Sequence, residues 1–393
     1  MLLKRAWSRS ARWIALLSFC VVLVALNVAD SQSVLWWNQA GALLLQMKTS
    51  ERLDSQPHIS WSECKYECCN RAFEVIEFFE DPDSNLVCFD VRSGQHVQQF
   101  VHLTTFNPVF SHYLSMAQKF LASVIILKPL SGEIVWRIQD DATIEPVVQL
   151  NFTKAGVATV AHSVYNKRGN EATYTAIVPN FHFIEHDGYA SLIRSAEAAY
   201  QPMISLQPQV FWAGSTTGHP CAHLSPCERM TCSDLQRFQL VQLSQEVQWL
   251  NCSLTNAVQQ CKGSVHELRR KNMLKAHIKE HEWLNYRGII DIDGNVDAWG
   301  SRWRFSTNSV VFKVKSAYIN LYSKSLFDGV HFIEISENLD NLRSVTAIVV
   351  KNDTGTLTFL SNITQNARRT MKQFTYNSAA ISTSRALVNF FPT

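Results

Sequence analysis

Between Tyr286 and Leu342 the apolar positions come as short β-branched bursts separated by turn-forming and basic residues. Gly288-Ile289-Ile290-Asp291-Ile292 predicts a buried strand, and Asp293-Gly294-Asn295 closes it with residues that tolerate sharp turns. Ser309 to Val314 predicts a second strand and Val330 to Ile335 a third, with a helix expected around Tyr318 to Leu326 between them. Strand, helix, strand at this spacing predicts a parallel α/β sheet, whose ligands sit beyond the carboxyl ends of the strands. Earlier in the chain, strands are expected at Asn85 to Val91, Ala122 to Lys128, Ile134 to Ile138, Val147 to Leu150 and Thr173 to Val178. His266 to Arg287 reads as a polar, helix-like stretch with a solvated face.

Just beyond the acidic-glycine turn lies Trp299-Gly300-Ser301-Arg302-Trp303-Arg304. A guanidinium is a planar fork that binds phosphate oxygens in pairs, and glycine lets the backbone approach an anion closely. This corner therefore suits a diphosphate; by spacing alone, a solvated basic face is an equal reading. The pair Asp291-x-Asp293 has the look of a metal-binding motif, but alternation in the strand points both side chains one way for structural reasons, and no metal is expected. His331, at a strand position, is expected to pack.

Composition bounds the class. The 393 residues are 46% hydrophobic and 18% charged, enough for two closely associated domains with ample core. A net charge of +3 with scattered basic residues argues against nucleic acid as a partner. Lys4, Arg5, Arg9 and Arg12 precede an apolar run from Trp13 to Ala29, the charge order of a secretory signal or a type II anchor, and the poor cleavage site favours the anchor. Sequons at Asn151, Asn251, Asn352 and Asn362 fit a lumenal location. Of the ten cysteines, Cys20 lies in the apolar run; the nine others are expected to form disulfides with one thiol left over. Cys221, Cys227 and Cys232 are expected to staple an insertion, and Cys64-x-x-x-Cys68-Cys69 to form disulfides in preference to binding zinc. The chain ends Phe390-Phe391-Pro392-Thr393, without an ER-retrieval tetrapeptide, which points to Golgi residence by the anchor; the ER lumen is the other compartment considered.

The series IDIDGNVDAWGSRW, NSVVFKVKSAY and GVHFIEISENLDNL resembles the C-terminal signature of glycosyltransferase family 90, which includes Rumi-type protein O-glucosyltransferases and fungal capsule-associated xylosyltransferases. A second block, Phe211 to Gly218, resembles the family's aromatic-x-Gly-Ser-Thr-Thr-Gly loop, and Arg237 to Val241 its arginine-led helix; together the similarity covers about Val178 to Arg369. The resemblance implies an α/β, GT-B-like fold of two Rossmann-like halves with a cleft between them, preceded by a membrane anchor and a cysteine-rich segment. The expected divisions are anchor or signal 1–29, stem 30–60, acceptor-side half 61–205, nucleotide-sugar half 206–375 and tail 376–393.

It also implies an inverting transfer of glucose or xylose from a UDP-sugar to a hydroxyl of a protein (Ser/Thr) or glycan acceptor, with no cofactor besides the donor. Residue by residue, Asp187 corresponds to the catalytic base, with Glu185 as its neighbour. Ser215, Arg237 and Arg302 correspond to groups that hold UDP, with Asn295, Val296, Asp297, Ala298, Trp299, Gly300 and Ser301 as the backbone cradle and Arg304 sharing the role of Arg302. Loss of Arg302 is expected to abolish turnover and leave the fold intact. Two departures, Ala213 in place of a basic residue and a short segment between Asp187 and Trp212, keep a second reading open: a catalytically silent lumenal member that binds nucleotide or a partner.

Overall fold

The computed structural model describes residues 61–64, 68–77, 85–92, 97–128, 130–138, 146–165, 175–218 and 231–391. The expected anchor and stem, and Cys221 and Cys227, lie outside them.

In the first half of the described chain come β1 (Ser62–Glu63), β2 (Leu86–Arg92), β3 (Val97–His102), β4 (Gly132–Arg137), β5 (Ala158–Ala161), β6 (Ser163–Tyr165) and β7 (Thr175–Ile177). All but β6 form a six-stranded sheet in the order β1-β3-β2-β4-β5-β7. β2 runs antiparallel to both its neighbours, while β4, β5 and β7 are parallel. Side chains alternate across a strand, and both faces here are apolar. Val87, Phe89 and Val91 of β2 enter one core with Ile134 and Trp136 of β4; Leu86, Cys88 and Val135 enter another on the opposite face. Helices α1 (Asn70–Ile76), α2 (Ser111–Leu127) and α3 (Pro146–Lys154) cover this sheet, α2 contributing Leu114, Ala117, Phe120, Leu121 and Val124 to the first core and α3 contributing Val148 and Phe152 to the second.

Two expected strands in this half are helical. Ala122 to Lys128 falls almost wholly within α2, because its apolar residues continue a helical stripe begun at Leu114. Val147 to Leu150 lies in α3, where Pro146 occupies the first helical position, one that needs no N–H, and Val148 and Phe152 share a face at i, i+4.

After α4 (Phe181–Glu185) and α5 (Ala190–Ala198), the second half supplies β8 (Gln207–Ser215), β9 (Leu250–Asn256), β10 (Tyr286–Asp291), β11 (Val310–Val314), β12 (Tyr318–Asn320) and β13 (Ile333–Ile335). All but β12 form a five-stranded sheet in the order β13-β11-β10-β8-β9, parallel throughout. The parallel sheet and the strands expected at Gly288 and Ser309 are present; the third expected strand is shortened to β13. The stretch expected to be a helix from Tyr318 is instead β12, which pairs antiparallel with β6 of the first half, followed by a single 3₁₀ turn at Ser323–Ser325. That pairing stitches the halves together, with Tyr165 and Tyr318 edge-to-face at 5.6 Å.

Helices α6 (Gln236–Ser244), α7 (Ser301–Arg304) and α8 (Thr354–Met371) belong to the second half, whereas α9 (Tyr376–Val388) returns to pack on α2. Tyr376 meets Phe120 edge-to-face at 5.7 Å there. His331 is packed, accepting from the Phe327 amide through Nδ1 and facing Thr370 Oγ1 at 3.2 Å.

Disulfides join Cys69 to Cys88 and Cys232 to Cys261. Cys232 therefore reaches a turn after β9, away from the insertion it was expected to close. Cys252 keeps a buried thiol, its pKa pushed up to about 12 by desolvation. The Cys232–Cys261 bridge closes a span of 29 residues, so Cys232→Ser/Cys261→Ser is expected to lower the unfolding free energy by about 2–4 kcal/mol, measured as the denaturant midpoint at unchanged slope.

Candidate functional site

The carboxyl ends of β8 and β10 open onto a cleft of about 600 Å³ between the two sheets, a volume suited to a nucleotide-sized ligand. Its floor is built around Asp291, fully buried at the end of β10. Both carboxylate oxygens accept from Ser301 Oγ at 2.9 Å; Oδ1 also accepts from Arg304 Nη1 at 2.7 Å and Oδ2 from Lys313 Nζ at 3.1 Å. Burial works to raise the Asp291 pKa, but Lys313, Arg304 and these hydrogen bonds overcome it and hold the carboxyl below its ordinary range. One carboxylate thus fixes β11, α7 and the turn between them. Asp291 points at its own partners, while Asp293 lies beyond the end of β10, so strand alternation does not relate the two side chains.

Arg237, at the start of α6, is committed to the backbone. Its Nε donates to Asp293 O at 2.7 Å, Nη2 to Ile292 O at 3.1 Å, and Nη1 to Ser215 O at 3.3 Å and Thr217 Oγ1 at 2.5 Å. The guanidinium ties the end of β8 to the end of β10. Gly294 leaves it little room, since a Cβ there would sit 3.0 Å from Nη2 and crowd the guanidinium. Burial lowers the Arg237 pKa to about 10, which leaves the group cationic at neutral pH. Among the described residues no carboxylate forms an ion pair with it.

Ser215, Arg237, Asn295 to Gly300 and Arg304 all line the cleft. Ser301 and Arg302 do not. Ser301 serves Asp291, while Arg302 is buried and turns towards the first half, donating to Gly188 O and, at 3.5 Å, to Met371 O, over the Phe183 ring at 5.5 Å. Asp187 is exposed and also lies outside the lining. The segment leading to it is α4, whose N-cap Asn180 accepts from the Phe183 amide at 2.9 Å. Asp187, Gly188 and Tyr189 then adopt φ of 48°, 63° and 59° in succession. Left-handed backbone at a residue as bulky as tyrosine is rare and needs surrounding support. Here it aims the buried Tyr189 hydroxyl at Trp299 O, 2.7 Å away.

The opposite wall was not foreseen. It is made by Tyr113 of α2, by His182 and His186 of the α4 segment, and by Tyr189, Ser191 and Leu192 around the start of α5. His277, Glu280 and Trp283 contribute from before β10. The sequence signal available was local: Pro179-Asn180 announces a helix N-cap and so places His182 and His186 a turn apart on one face. Trp299 leans across from the Asn295–Gly300 loop into this wall, its ring 4.9 Å from His182, 5.3 Å from His162 and 5.8 Å from Tyr113.

Asp297 is the unusual member of the loop. It is buried, Oδ2 accepts from Asn320 Nδ2 at 2.8 Å, and Oδ1 has no hydrogen-bond partner among the described residues. Desolvation, reinforced by Asp293, raises its pKa to about 7; Asp293 is raised to about 6, again first by burial.

Residues 197–373 match the family model described as Glycosyl transferase family 90, a span that holds the whole five-stranded sheet. No curated protein matches. Among solved structures, a glycosyltransferase from Rickettsia africae ESF-5 is similar at 12% identity, with 73% of this chain and 85% of that chain covered and a TM-score of 0.38. Alr3699/HepE from Anabaena in complex with UDP-glucose is similar at 13% identity over 70% of this chain and 76% of that one, TM-score 0.36. TarM is similar at 8% identity over 60% of this chain, which spans 50% of TarM's length, TM-score 0.35.

Two outcomes are expected from this geometry. Arg302→Ala removes donors from buried carbonyls across the seam and should cost about 2–4 kcal/mol of stability, read as a lower thermal midpoint. Because Asp297 holds its proton more tightly when folded, its contribution is complete below the unfolded pKa near 4 and is lost as the pH rises through about 7. Asp297→Asn should therefore stabilise the protein by about 1–4 kcal/mol at pH 8, and the gain should shrink in melts recorded at pH 5.

Proposed function

From the family 90 domain at residues 197–373, we propose that this protein is an inverting glycosyltransferase of GT-B architecture. In this reading it transfers glucose or xylose from a UDP-sugar to a hydroxyl of a protein serine or threonine, or of a glycan. The N-terminal apolar run would hold it as a type II membrane protein with its catalytic part in the Golgi or ER lumen.

The observation that carries the reading is the buried guanidinium of Arg237 in the cleft wall, without an ion-pair contact among the described residues, beside Ser215 and the glycine-bounded loop Gly294 to Gly300. A guanidinium held by carbonyl dipoles and lacking a carboxylate partner is preorganised to meet an anion, and such a group stabilises charge that develops on a departing diphosphate. Arg304, anchored through Asp291, lies close enough to lower the Arg237 pKa and adds to the positive field. Ser215 Oγ, 3.1 Å from Thr217 Oγ1, supplies a hydroxyl at the same end. Ser301 and Arg302 act in this reading by positioning the loop. The wall from α4 and α5 then faces the acceptor.

The test is UDP release by the purified full chain from a panel of UDP-sugars. Release from UDP-glucose or UDP-xylose, raised by an added acceptor and competitively inhibited by UDP, is expected. Binding of UDP without release from any donor would favour the silent reading, and absence of UDP binding would remove the transferase reading and leave only a silent partner-binding member. Arg237→Gln is expected to weaken UDP binding by about tenfold or more, the scale of one charge-assisted contact, as read by calorimetry.

A further inference from the structure

An N-linked oligosaccharide is joined to asparagine through Nδ2 and is bulky and hydrated, so a folded protein accommodates one only where that nitrogen faces open solvent. The fold treats the sequons of this chain differently. Asn251 lies on β9, half-buried and in register with Phe211 of β8. Its Nδ2 donates to Tyr286 OH at 3.2 Å, and the Tyr286 ring stacks on Phe211 at 4.4 Å. Ser253, which completes this sequon, is buried. A glycan on that nitrogen would break its hydrogen bond and push the tyrosine off the ring it stacks on.

Asn352 is the reverse case. It is exposed just before α8, and its amide has two ends with different surroundings. Oδ1 accepts at 3.0 Å from Nη1 of Arg287, a buried guanidinium that also donates to the carbonyls of Met203 at 3.2 Å, Val349 at 2.5 Å and Lys351 at 3.2 Å. Glycosylation consumes one hydrogen of Nδ2 and leaves Oδ1 able to accept. The inward contact therefore holds the planar amide with its reactive nitrogen outward. Asn362 stands on the exposed face of α8, whose other face buries Leu360, Ile363 and Ala367. Helical side chains tilt towards the N-terminus, so Asn362 overhangs Phe359, three positions earlier and 42% exposed. A sugar there covers apolar surface that the fold leaves open.

We propose that Asn352 and Asn362 carry N-linked glycans and that Asn251 does not, a proposal that rests on the lumenal placement in the reading above. The co-reactant is a polyprenyl-diphosphate-linked oligosaccharide of the secretory lumen. As Nδ2 forms its bond to the anomeric carbon, the bond from that carbon to the lipid diphosphate breaks, the electron pair leaves on the diphosphate and the amide nitrogen loses one proton. The glycan is added to the extended chain, so a sequon that ends in a helix is no obstacle; folding then retains the products that fit. No residue of α8 lines the cleft, so both glycans stand clear of it.

The experiment expresses the full chain in eukaryotic cells and purifies the folded protein. Each sequon is then read by mass spectrometry after amidase release in heavy-oxygen water, which marks every asparagine that carried a glycan. Label at Asn352 and Asn362, and none at Asn251, is expected. Two variants separate the ends of the Asn352 amide. Thr354→Ala destroys the sequon and keeps Oδ1 on Arg287, whereas Asn352→Ala removes the glycan and the contact together. Both lack the same glycan, so the lower thermal midpoint expected for Asn352→Ala reports the acceptor that Arg287 has lost. Asn362→Gln should lose the other glycan and leave UDP release unchanged. The proposal is overturned if Asn251 is labelled, if Asn352 or Asn362 is unlabelled in protein whose Cys69–Cys88 bridge has formed, or if the midpoints of Thr354→Ala and Asn352→Ala coincide. No label at any sequon, with Cys69 and Cys88 recovered as free thiols, would instead overturn the lumenal placement, and the glycans with it.

Discussion

The buried carboxylate of Asp291 is the constraint from which the cleft is built. With no exposure of its own, it holds Ser301, Arg304 and Lys313 at hydrogen-bond distance. An unpaired charge so placed would cost several kcal/mol, so the three partners and the carboxylate are obligatory to one another. Burial would depress the Lys313 pKa, yet the surrounding aspartates raise it, so the network stays ionised. Because the partners come from β11 and α7, the turn between β10 and α7 has little freedom. That turn, Gly294 to Gly300, lines the cleft.

A second set of contacts fixes this loop against the other half. Trp299 O accepts from Tyr189 OH and, at 3.3 Å, from Asn180 Nδ2, and Arg302 reaches back to Gly188. β12 pairs with β6, and α9 packs on α2 after the chain has left the second sheet. The two walls are therefore held at a set separation by directional contacts across the seam.

Much of the second half was legible because its signals are local. The runs Gly288 to Ile292 and Ser309 to Val314 are short, β-branched and bounded by turn residues, and buried parallel strands read that way. Ser215, Arg237 and the loop from Asn295 to Gly300 were found together through the resemblance to family 90, and they do line one cleft at the carboxyl ends of the strands. Arg302 and Arg304 show where such reading stops. Two residues apart on a short helix, they point to different sides, one to the seam and one to the cleft floor, and side-chain direction depends on a register that spacing does not supply.

The first half was less legible for the same reason. Ala122 to Lys128 has strand composition but sits in a helix because its neighbours complete an apolar stripe, and in the second half too Tyr318 to Asn320 became a strand only by finding β6, some 155 residues away in the chain. The sequence by itself determined the parallel sheet of the second half, the turn chemistry at Asp293-Gly294 and the residues gathered around it, since propensity, glycine and charge act over a few positions. Tertiary structure alone decided that Arg302 is a clamp, that Asp187 stands outside the cleft and that His182 faces Trp299, since each depends on which distant backbone comes within about 3–5 Å, the range of hydrogen bonds and ring contacts.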